Sequence, residues 1–160
     1  MGPTAKRASI TESLDEQHIR RAMELAALAE AAGDVPIGAV LVCADFVCEA
    51  KNEKELRPDA TAHAEMLVLQ EAARRSGVWR LSQATLYITK EPCVMCAGAI
   101  IAARVKRVVF GCRDPKGGAA GSVYDLLQSE ALNHRVEVTS GVLEEEAAAQ
   151  LQRFFKAKRR

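Results

Sequence analysis

The first clear pattern of apolar residues lies near the amino-terminal end of the chain and has helical spacing. Ser13 and Glu16 have the arrangement of a capping box, in which each side chain accepts a backbone N–H of the other residue. Apolar residues then recur every three or four positions as far as Gly33, at Ile19, Ala22, Met23 and Ala26. A first helix is therefore predicted to begin near Ser13, and residues 1–12, which lack such a pattern, are expected to form a mobile tail.

Apolar runs and helical patterns alternate along the rest of the chain. Short apolar runs predict strands, and spacings of three and four predict helices. Strands are expected at 37–43, 46–50, 85–89, 108–112 and 136–138, and further helices at 63–76, 93–103 and 144–158. The helix at 93–103 is apolar on nearly every side, so we expect it to be buried.

This alternation of strands and helices predicts an α/β fold. The first two strands are expected to form a hairpin, followed by mainly parallel pairing, in a five-stranded mixed sheet with helices on both faces. The result is a three-layer α/β/α sandwich, with a single domain over residues 13–160. His63 and Cys93 each begin a helix that follows a strand, so both are expected near the carboxyl ends of strands, where open α/β sheets hold ligands.

The composition narrows the classes of function. Of 160 residues, 49% are apolar and 27% charged, as in one globular domain, and no apolar run approaches the roughly 20 residues that span a bilayer. A membrane protein is not expected. The five cysteines form no disulfide pattern, and residues 1–12 contain no apolar signal core, so a reducing intracellular compartment, the cytoplasm, is expected. The net charge of +1 excludes an overall basic field, so nucleic-acid contacts would need local clusters of Lys and Arg.

Two short motifs carry the candidate chemistry: His63-Ala64-Glu65 and Pro92-Cys93-Val94-Met95-Cys96. Cys93 and Cys96 are three positions apart, so on a helix both sulfurs lie on one face and can bind one metal ion. Together with His63 they supply three zinc ligands. A structural zinc site is closed by four protein ligands, whereas a hydrolytic site leaves one position for water. Glu65 is then the candidate acceptor of the water proton.

Other interpretations of the cysteines stay open on these residues alone. A Cys-x-x-Cys motif also occurs as a redox pair. Cys112 or His134 as a fourth ligand would make the zinc site structural, but Glu65 would then have no role. Cys43 and Cys48 are most simply explained as strand residues that pack in the core.

At these motifs the sequence resembles the zinc-dependent nucleoside and nucleobase deaminases, whose signature is His-x-Glu followed by Pro-Cys-x-x-Cys. Further stretches are similar to the bacterial tRNA adenosine deaminases, and the similarity extends from about Ser13 to the end of the chain. These stretches are Val35-Pro36-Ile37-Gly38-Ala39-Val40, Thr61-Ala62-His63-Ala64-Glu65, Glu91-Pro92-Cys93-Val94-Met95-Cys96-Ala97-Gly98-Ala99, Gly118-Ala119-Ala120-Gly121-Ser122 and Asn133-His134-Arg135-Val136. Ala60, where proline is common, and Lys90 depart from the family pattern without touching a ligand position.

The resemblance implies a cytidine deaminase-like fold and a homodimer with one Zn²⁺ per subunit. It also implies hydrolysis of adenosine to inosine at the wobble position of the tRNA anticodon loop, by attack of zinc-activated hydroxide on C6 and release of ammonia. His63, Cys93 and Cys96 would be the metal ligands, and Glu65 would be the proton shuttle. The partner would be the anticodon stem-loop, whose splayed bases can enter a pocket without opening a duplex.

Six further residues match positions that the family uses near its substrate: Asn52, Ile37, Asp114, Asn133, His134 and Phe155. The resemblance implies that Asn52 reads the base and that Ile37 packs on it, while Phe155 belongs to a final helix that borders the RNA. Ordinary explanations exist beside these roles. Ile37 would also suit a buried strand, Asp114 a turn with Pro115, and His134 a structural position.

Two competing functions share the metal motif. A deaminase of a free base, guanine or cytosine, would use the same ligands, because the metal does not choose the substrate. A noncatalytic zinc-binding subunit or scaffold is the alternative of another class, and Glu65 argues against it.

Overall fold

The computed structural model describes residues 12–159. In this part of the chain the helices are α1 (Leu14–Ala31), α2 (Ala64–Ser76), α3 (Val94–Ala102) and α4 (Glu144–Lys158). The strands are β1 (Gly38–Val42), β2 (Val47–Lys51), β3 (Thr85–Lys90), β4 (Arg107–Cys112) and β5 (Glu137–Thr139). No helix in this range is long and apolar enough to cross a membrane.

The start of α1 is the predicted capping box. The Ser13 hydroxyl accepts the Glu16 N–H at 3.1 Å, and the Glu16 carboxylate accepts the Ser13 N–H at 2.9 Å. Residues 1–11 of the predicted mobile tail lie outside the described residues, while Glu12 forms an ion pair with Arg20 of α1 at 2.6 Å.

The sheet has the strand order β2-β1-β3-β4-β5. Strand β1 is antiparallel to both neighbours, and β3, β4 and β5 are parallel to one another. The predicted hairpin and five-stranded mixed sheet are confirmed. Because β2 and β3 flank β1 in the same direction, the carboxyl ends of β2, β3 and β4 lie at one edge, which we call the carboxyl edge.

Alternate residues of the strands face two layers of helices. On one face Leu41, Ile88 and Phe110 are fully buried in the core that α2 and α3 cover. On the other face Val40, Tyr87 and Val109 pack against Ile19, Ala22 and Leu25 of α1, and α4 packs beside them around Cys112. The predicted α/β/α sandwich is therefore confirmed.

A glycine allows α1 to lie directly on the sheet. A Cβ added at Gly38 would stand 2.0 Å from the Ala22 carbonyl oxygen. No larger residue fits at this position unless the helix moves away from the strand.

Helix α3 was expected to be buried because it is apolar on nearly every side, and within this chain one side of it is buried. Cys96, Ala97, Ile100 and Ile101 face the core. Val94, Gly98 and Ala102 are exposed, because nothing else in the described chain covers the outer side of this helix. An apolar helix with one open face indicates a surface for another molecule.

We expect replacement of Asp15 by asparagine to reduce the pH dependence of stability. Paired hydrogen bonds from Arg107, at 3.0 and 2.7 Å, hold the pKa of Asp15 below its ordinary value of 3.8. A lowered pKa contributes stability that is complete above the unfolded pKa and is lost as the pH falls through the folded pKa. Asp15→Asn should therefore lower the free energy of unfolding by about 1–2 kcal/mol at pH 7, and by less at pH 3. Urea denaturation at both pH values measures this, and Glu30→Gln, on the exposed side of α1, should change neither value.

Candidate metal and catalytic site

Two helix starts meet at the carboxyl edge and bring the motif residues together. His63 is the N-cap residue of α2 and Cys93 is the N-cap residue of α3, and both have extended backbone angles. Neither side chain caps its own helix by a hydrogen bond, so both are free to face inward. The ligand atoms of His63, Cys93 and Cys96 lie within 4.8 Å of one another.

The spacing of these atoms fits a tetrahedral zinc ion. The His63 Nδ1 atom is 3.7 Å from the Cys93 sulfur and 3.5 Å from the Cys96 sulfur. Zinc bonds of about 2.0–2.3 Å at tetrahedral angles put ligand atoms roughly 3.3–3.8 Å apart. The donor set of one imidazole and two thiols is also one that zinc prefers. The three residues therefore form a group that can bind one zinc ion.

The Cys93 and Cys96 thiols shift each other's pKa in opposite directions. A hydrogen bond from the Cys96 thiol is the main cause that lowers the pKa of Cys93, which falls to about 3 despite burial. The same hydrogen bond, together with burial, raises the pKa of Cys96. A zinc ion binds cysteine sulfurs as thiolates, so its binding would release the thiol protons that remain.

Glu65 lies in the first turn of α2 and is 3% exposed. Its Oε1 atom has no hydrogen-bond partner among the described residues. Burial is the main cause that raises the pKa of this carboxyl. A buried carboxylate beside a metal group, with one unpaired oxygen, is the arrangement that an acid–base catalyst needs.

Asn52 follows β2 and is 3% exposed. Its Oδ1 atom accepts the N–H of Ala64 at 2.8 Å, so it satisfies a donor at the start of α2. The amide nitrogen has no hydrogen-bond partner among the described residues and can donate to a ligand. Ile37 stands just before β1, half-buried, and its carbonyl accepts the Asn52 N–H at 3.0 Å. The structure therefore places Ile37 and Asn52 side by side.

Asp114 stabilises a turn, which is the ordinary explanation that the sequence Asp114-Pro115 also allows. Its carboxylate accepts the N–H groups of Lys116 and Gly117 at 3.0 and 3.2 Å and pairs with Lys90 at 3.1 Å. Lys90, which departs from the family pattern, thus has a partner in the loop after β4.

A cleft of about 610 Å³ opens beside this loop. Phe155 of α4 lines it and is 42% exposed, whereas its neighbour Phe154 is buried. One acidic residue, Asp114, also lines this cleft. Five basic residues line it as well: Lys90, Arg113, Lys116, Lys158 and Arg159. The surface thus combines an exposed aromatic ring with local positive charge, as single-stranded RNA requires.

Asn133 and His134 lie apart from the metal group of the same chain. The His134 ring nitrogen Nε2 is 2.8 Å from the Val105 carbonyl oxygen, just before β4 and so at the edge opposite the carboxyl edge. Asn133 beside it is exposed. Their roles in substrate binding remain predictions, and His134 has the contact expected of a structural histidine.

A fourth protein ligand is absent from the described residues. Only His63, Cys93 and Cys96 form a metal-binding group there. The Cys112 thiol contacts the Thr89 carbonyl at 3.7 Å instead. Cys48 is buried in the core, and Cys43 packs against the same cluster. The open metal site, not the closed structural one, fits this arrangement.

Two buried carboxylates near the site were not predicted from sequence. Asp34 accepts the N–H of Glu55 at 2.9 Å and so ties the end of α1 to the loop before His63. Glu91 accepts N–H groups of Asp114, Ala120 and Ser122 at 2.9 to 3.0 Å. Burial raises the pKa of Glu91, but these hydrogen bonds and one from the Ser122 hydroxyl outweigh it and hold the pKa below its usual value.

Comparisons with known proteins agree with this site. The MafB19-like deaminase family matches residues 14–159. A tRNA-specific adenosine deaminase of Bacillus subtilis (strain 168) is 51% identical over 147 residues, which cover 91% of each chain. A structure from studies of A-to-I editing by tRNA:A34 deaminases at the wobble position of transfer RNA has a TM-score of 0.81 at 40% identity, covering 84% of this chain and 99% of that one. A guanine deaminase from Bacillus subtilis has a TM-score of 0.60 at 30% identity, covering 90% and 92%.

The curated relative matches along nearly its whole length, and the family match includes every residue of the metal group and Glu65. The chain therefore belongs to the tRNA-specific adenosine deaminases, within the MafB19-like deaminase family.

Proposed function

We propose that this chain hydrolyses adenosine to inosine at the wobble position of the tRNA anticodon loop. The observation that carries the proposal is the metal group of His63, Cys93 and Cys96 beside the buried, unpaired oxygen of Glu65. The identity of 51% with a tRNA-specific adenosine deaminase supports the choice of substrate. A tRNA substrate also supports a location in the cytoplasm, and we propose that residues 13–160 are a single deaminase domain.

The metal is zinc, one ion per subunit, held by His63, Cys93 and Cys96. When bound, zinc supplies a nucleophile made from water at neutral pH. Two thiolates and a neutral imidazole leave the ion with no net charge, so a proton acceptor must assist the water. Glu65 is the acidic residue in place to do so.

Glu65 moves the protons of the reaction. Its carboxylate takes one proton from the attacking water and delivers it to ring nitrogen N1 of adenine. It then takes the second proton from the new hydroxyl group on C6 and delivers it to the amino group, which leaves as ammonia. Burial supports the role of Glu65 as a proton donor, because it raises the pKa of this carboxyl above its ordinary value.

Asn52 and Ile37 hold the base. The Asn52 amide nitrogen donates to the base edge while its oxygen stays bonded to α2 at 2.8 Å, so the donor direction is fixed before the substrate arrives. Ile37 packs on the face of the ring. In the cleft, the Phe155 ring and its basic neighbours contact the other loop nucleotides and their phosphates.

The chain acts as a homodimer. The outer side of α3 and the adjacent side of α2 enclose an apolar groove of about 310 Å³, lined by residues that include Met66, Ala73, Ala99 and Ala102. Trp79, more than half exposed, borders it. Large exposed apolar surfaces usually bind another molecule, and most soluble oligomers are symmetric pairs of one chain. The exposed side of α3 is therefore best covered by the same surface of a second copy.

Introduction of a charge into this groove should separate the subunits. Ala102→Glu places a carboxylate in the apolar interface, where it loses hydration without a partner, so light scattering on a sizing column should show monomers in place of dimers. Ala27→Glu, on the exposed side of α1, is the matched control and should leave dimers. A wild-type protein that elutes as a monomer contradicts the homodimer.

The decisive test compares substrates. Zinc-loaded protein is incubated with an anticodon stem-loop bearing adenosine at the wobble position, and separately with free adenine, guanine and cytosine. Inosine in the stem-loop alone establishes the proposed function. Conversion of guanine alone would show that this chain has the activity of the structurally similar guanine deaminase, which is 30% identical to it. No conversion by a zinc-loaded dimer would support the noncatalytic scaffold.

A further inference from the structure

Glu91 is a buried carboxylate that no step of the proposed chemistry uses. It lies between the end of β3 and the metal ligand Cys93, and it is 2% exposed. Its Oε1 atom accepts the Asp114 N–H at 3.0 Å and the Ser122 hydroxyl. Its Oε2 atom accepts the N–H groups of Ala120 and Ser122 at 2.9 and 3.0 Å. All four donors belong to one segment.

That segment, residues 113–122, forms a loop around the carboxylate. The donors come from both of its ends, so one side chain holds the loop closed. Neighbouring backbone groups add to this attachment, since the Ala119 N–H donates to the Pro92 carbonyl at 2.8 Å. Gly118 passes so close that an added Cβ would stand 2.4 Å from the Glu91 carboxyl carbon.

The outer side of the same loop is a wall of the basic cleft. Arg113, Asp114 and Lys116 line the cleft opposite Phe155 and Lys158 of α4. Lys90, the residue before Glu91, pairs with the Asp114 carboxylate at 3.1 Å. The position of this wall relative to Cys93 is therefore set mainly through Glu91.

We propose that Glu91 is a positioning residue that fixes the 113–122 loop against the metal-binding start of α3 and thereby sets the affinity for the RNA loop. This inference rests on the proposed function, because it assumes that RNA occupies the cleft. Glu91 touches neither the metal group nor the reacting base, so its effect falls on substrate binding and not on chemistry.

Position 91 requires a carboxylate, because all four groups that contact the Glu91 oxygens are hydrogen-bond donors. In Glu91→Gln one oxygen becomes an NH₂ group, which faces two donors and can accept from neither. The loop must then shift or leave buried N–H groups unpaired, although the side chain keeps its size.

The experiment measures steady-state kinetics on the wobble-adenosine stem-loop, with bound zinc quantified in each variant. Glu91→Gln should raise KM about tenfold, which corresponds to a loss of about 1.4 kcal/mol in binding, with kcat and zinc content near wild type. Ser122→Ala removes one donor and should raise KM less. Its effect should vanish in the Glu91→Gln background, because both substitutions break the same contact.

Controls separate positioning from stability. Ile19→Val destabilises the core on the opposite face of the sheet and should lower Tm without changing KM. Ser129→Ala alters a serine whose hydroxyl accepts the Ala131 N–H and does not contact Glu91, so it should leave KM unchanged. A Glu91→Gln protein with lower Tm but unchanged KM overturns the inference. If that variant does not fold, Ser122→Ala decides: an unchanged KM overturns the inference, and a raised KM supports it. A wild-type enzyme inactive on the stem-loop is a distinct result, because it removes the proposed function itself.

Discussion

Glu65→Ala is expected to reduce kcat for the stem-loop by about 10²–10⁴-fold, the range of a single acid–base group, while the protein keeps its zinc. The ligands His63, Cys93 and Cys96 are untouched by this change. Stability should not fall. The Oε1 atom of Glu65 is buried without a partner, so removal of the carboxylate also removes a desolvation cost.

The measurement combines single-turnover inosine formation, zinc content and Tm. Glu71→Gln is the matched control, because Glu71 lies on the same helix α2 but pairs with Arg74 at the surface, and it should behave as wild type. Loss of zinc together with activity in Glu65→Ala would contradict the role of proton shuttle, since it would make Glu65 part of the metal site.

Cys96→Ala should abolish both zinc binding and activity. It leaves one imidazole and one thiolate, and the loss of a direct ligand should weaken zinc binding by more than the roughly 10–100-fold that follows loss of a supporting hydrogen bond. Added zinc should not restore turnover, because the remaining ligands do not fix the ion beside Glu65. Zinc content after dialysis and inosine formation measure the two effects.

Cys48→Ala is the control for this variant. Cys48 is also a buried cysteine, in the core beneath α2, and lies outside the metal group. It should retain one zinc per subunit and full activity, with only a packing loss. Equal loss of zinc in both variants would contradict the assignment of Cys96 as a ligand.

Periodicity of apolar residues was sufficient to locate the secondary structure. Strands β1 and β2 and helix α2 begin and end within one residue of their predicted bounds, and α4 has the predicted bounds. The open face of α3 could not be foreseen. An apolar residue that faces the core and one that faces another molecule give the same pattern, so only the packing separates Ala97 from Ala102.

The site was predicted in part, and the limits have a physical cause. The residues His63, Cys93 and Cys96 indicate a metal site from sequence, because each motif spans only a few neighbouring residues and lies at the start of a predicted helix. Glu91 stands in the same motif, yet its partners are backbone N–H groups more than twenty residues away, which no side-chain pattern reveals. The sequence shows only that position 118 is a glycine, and the structure then reveals how closely this residue passes the Glu91 carboxyl group.

The attachment of the 113–122 loop separates two tasks in the molecule. The metal-binding residues and Glu65 lie on α2 and α3. The 113–122 loop, which forms the cleft wall, is attached to this part of the molecule by the Glu91 carboxylate and a few backbone contacts. Outward-facing residues of the loop, such as Arg113 and Lys116, can be exchanged while the reaction centre stays as it is. The fold is therefore suited to evolve new substrate preferences on an unchanged hydrolytic core.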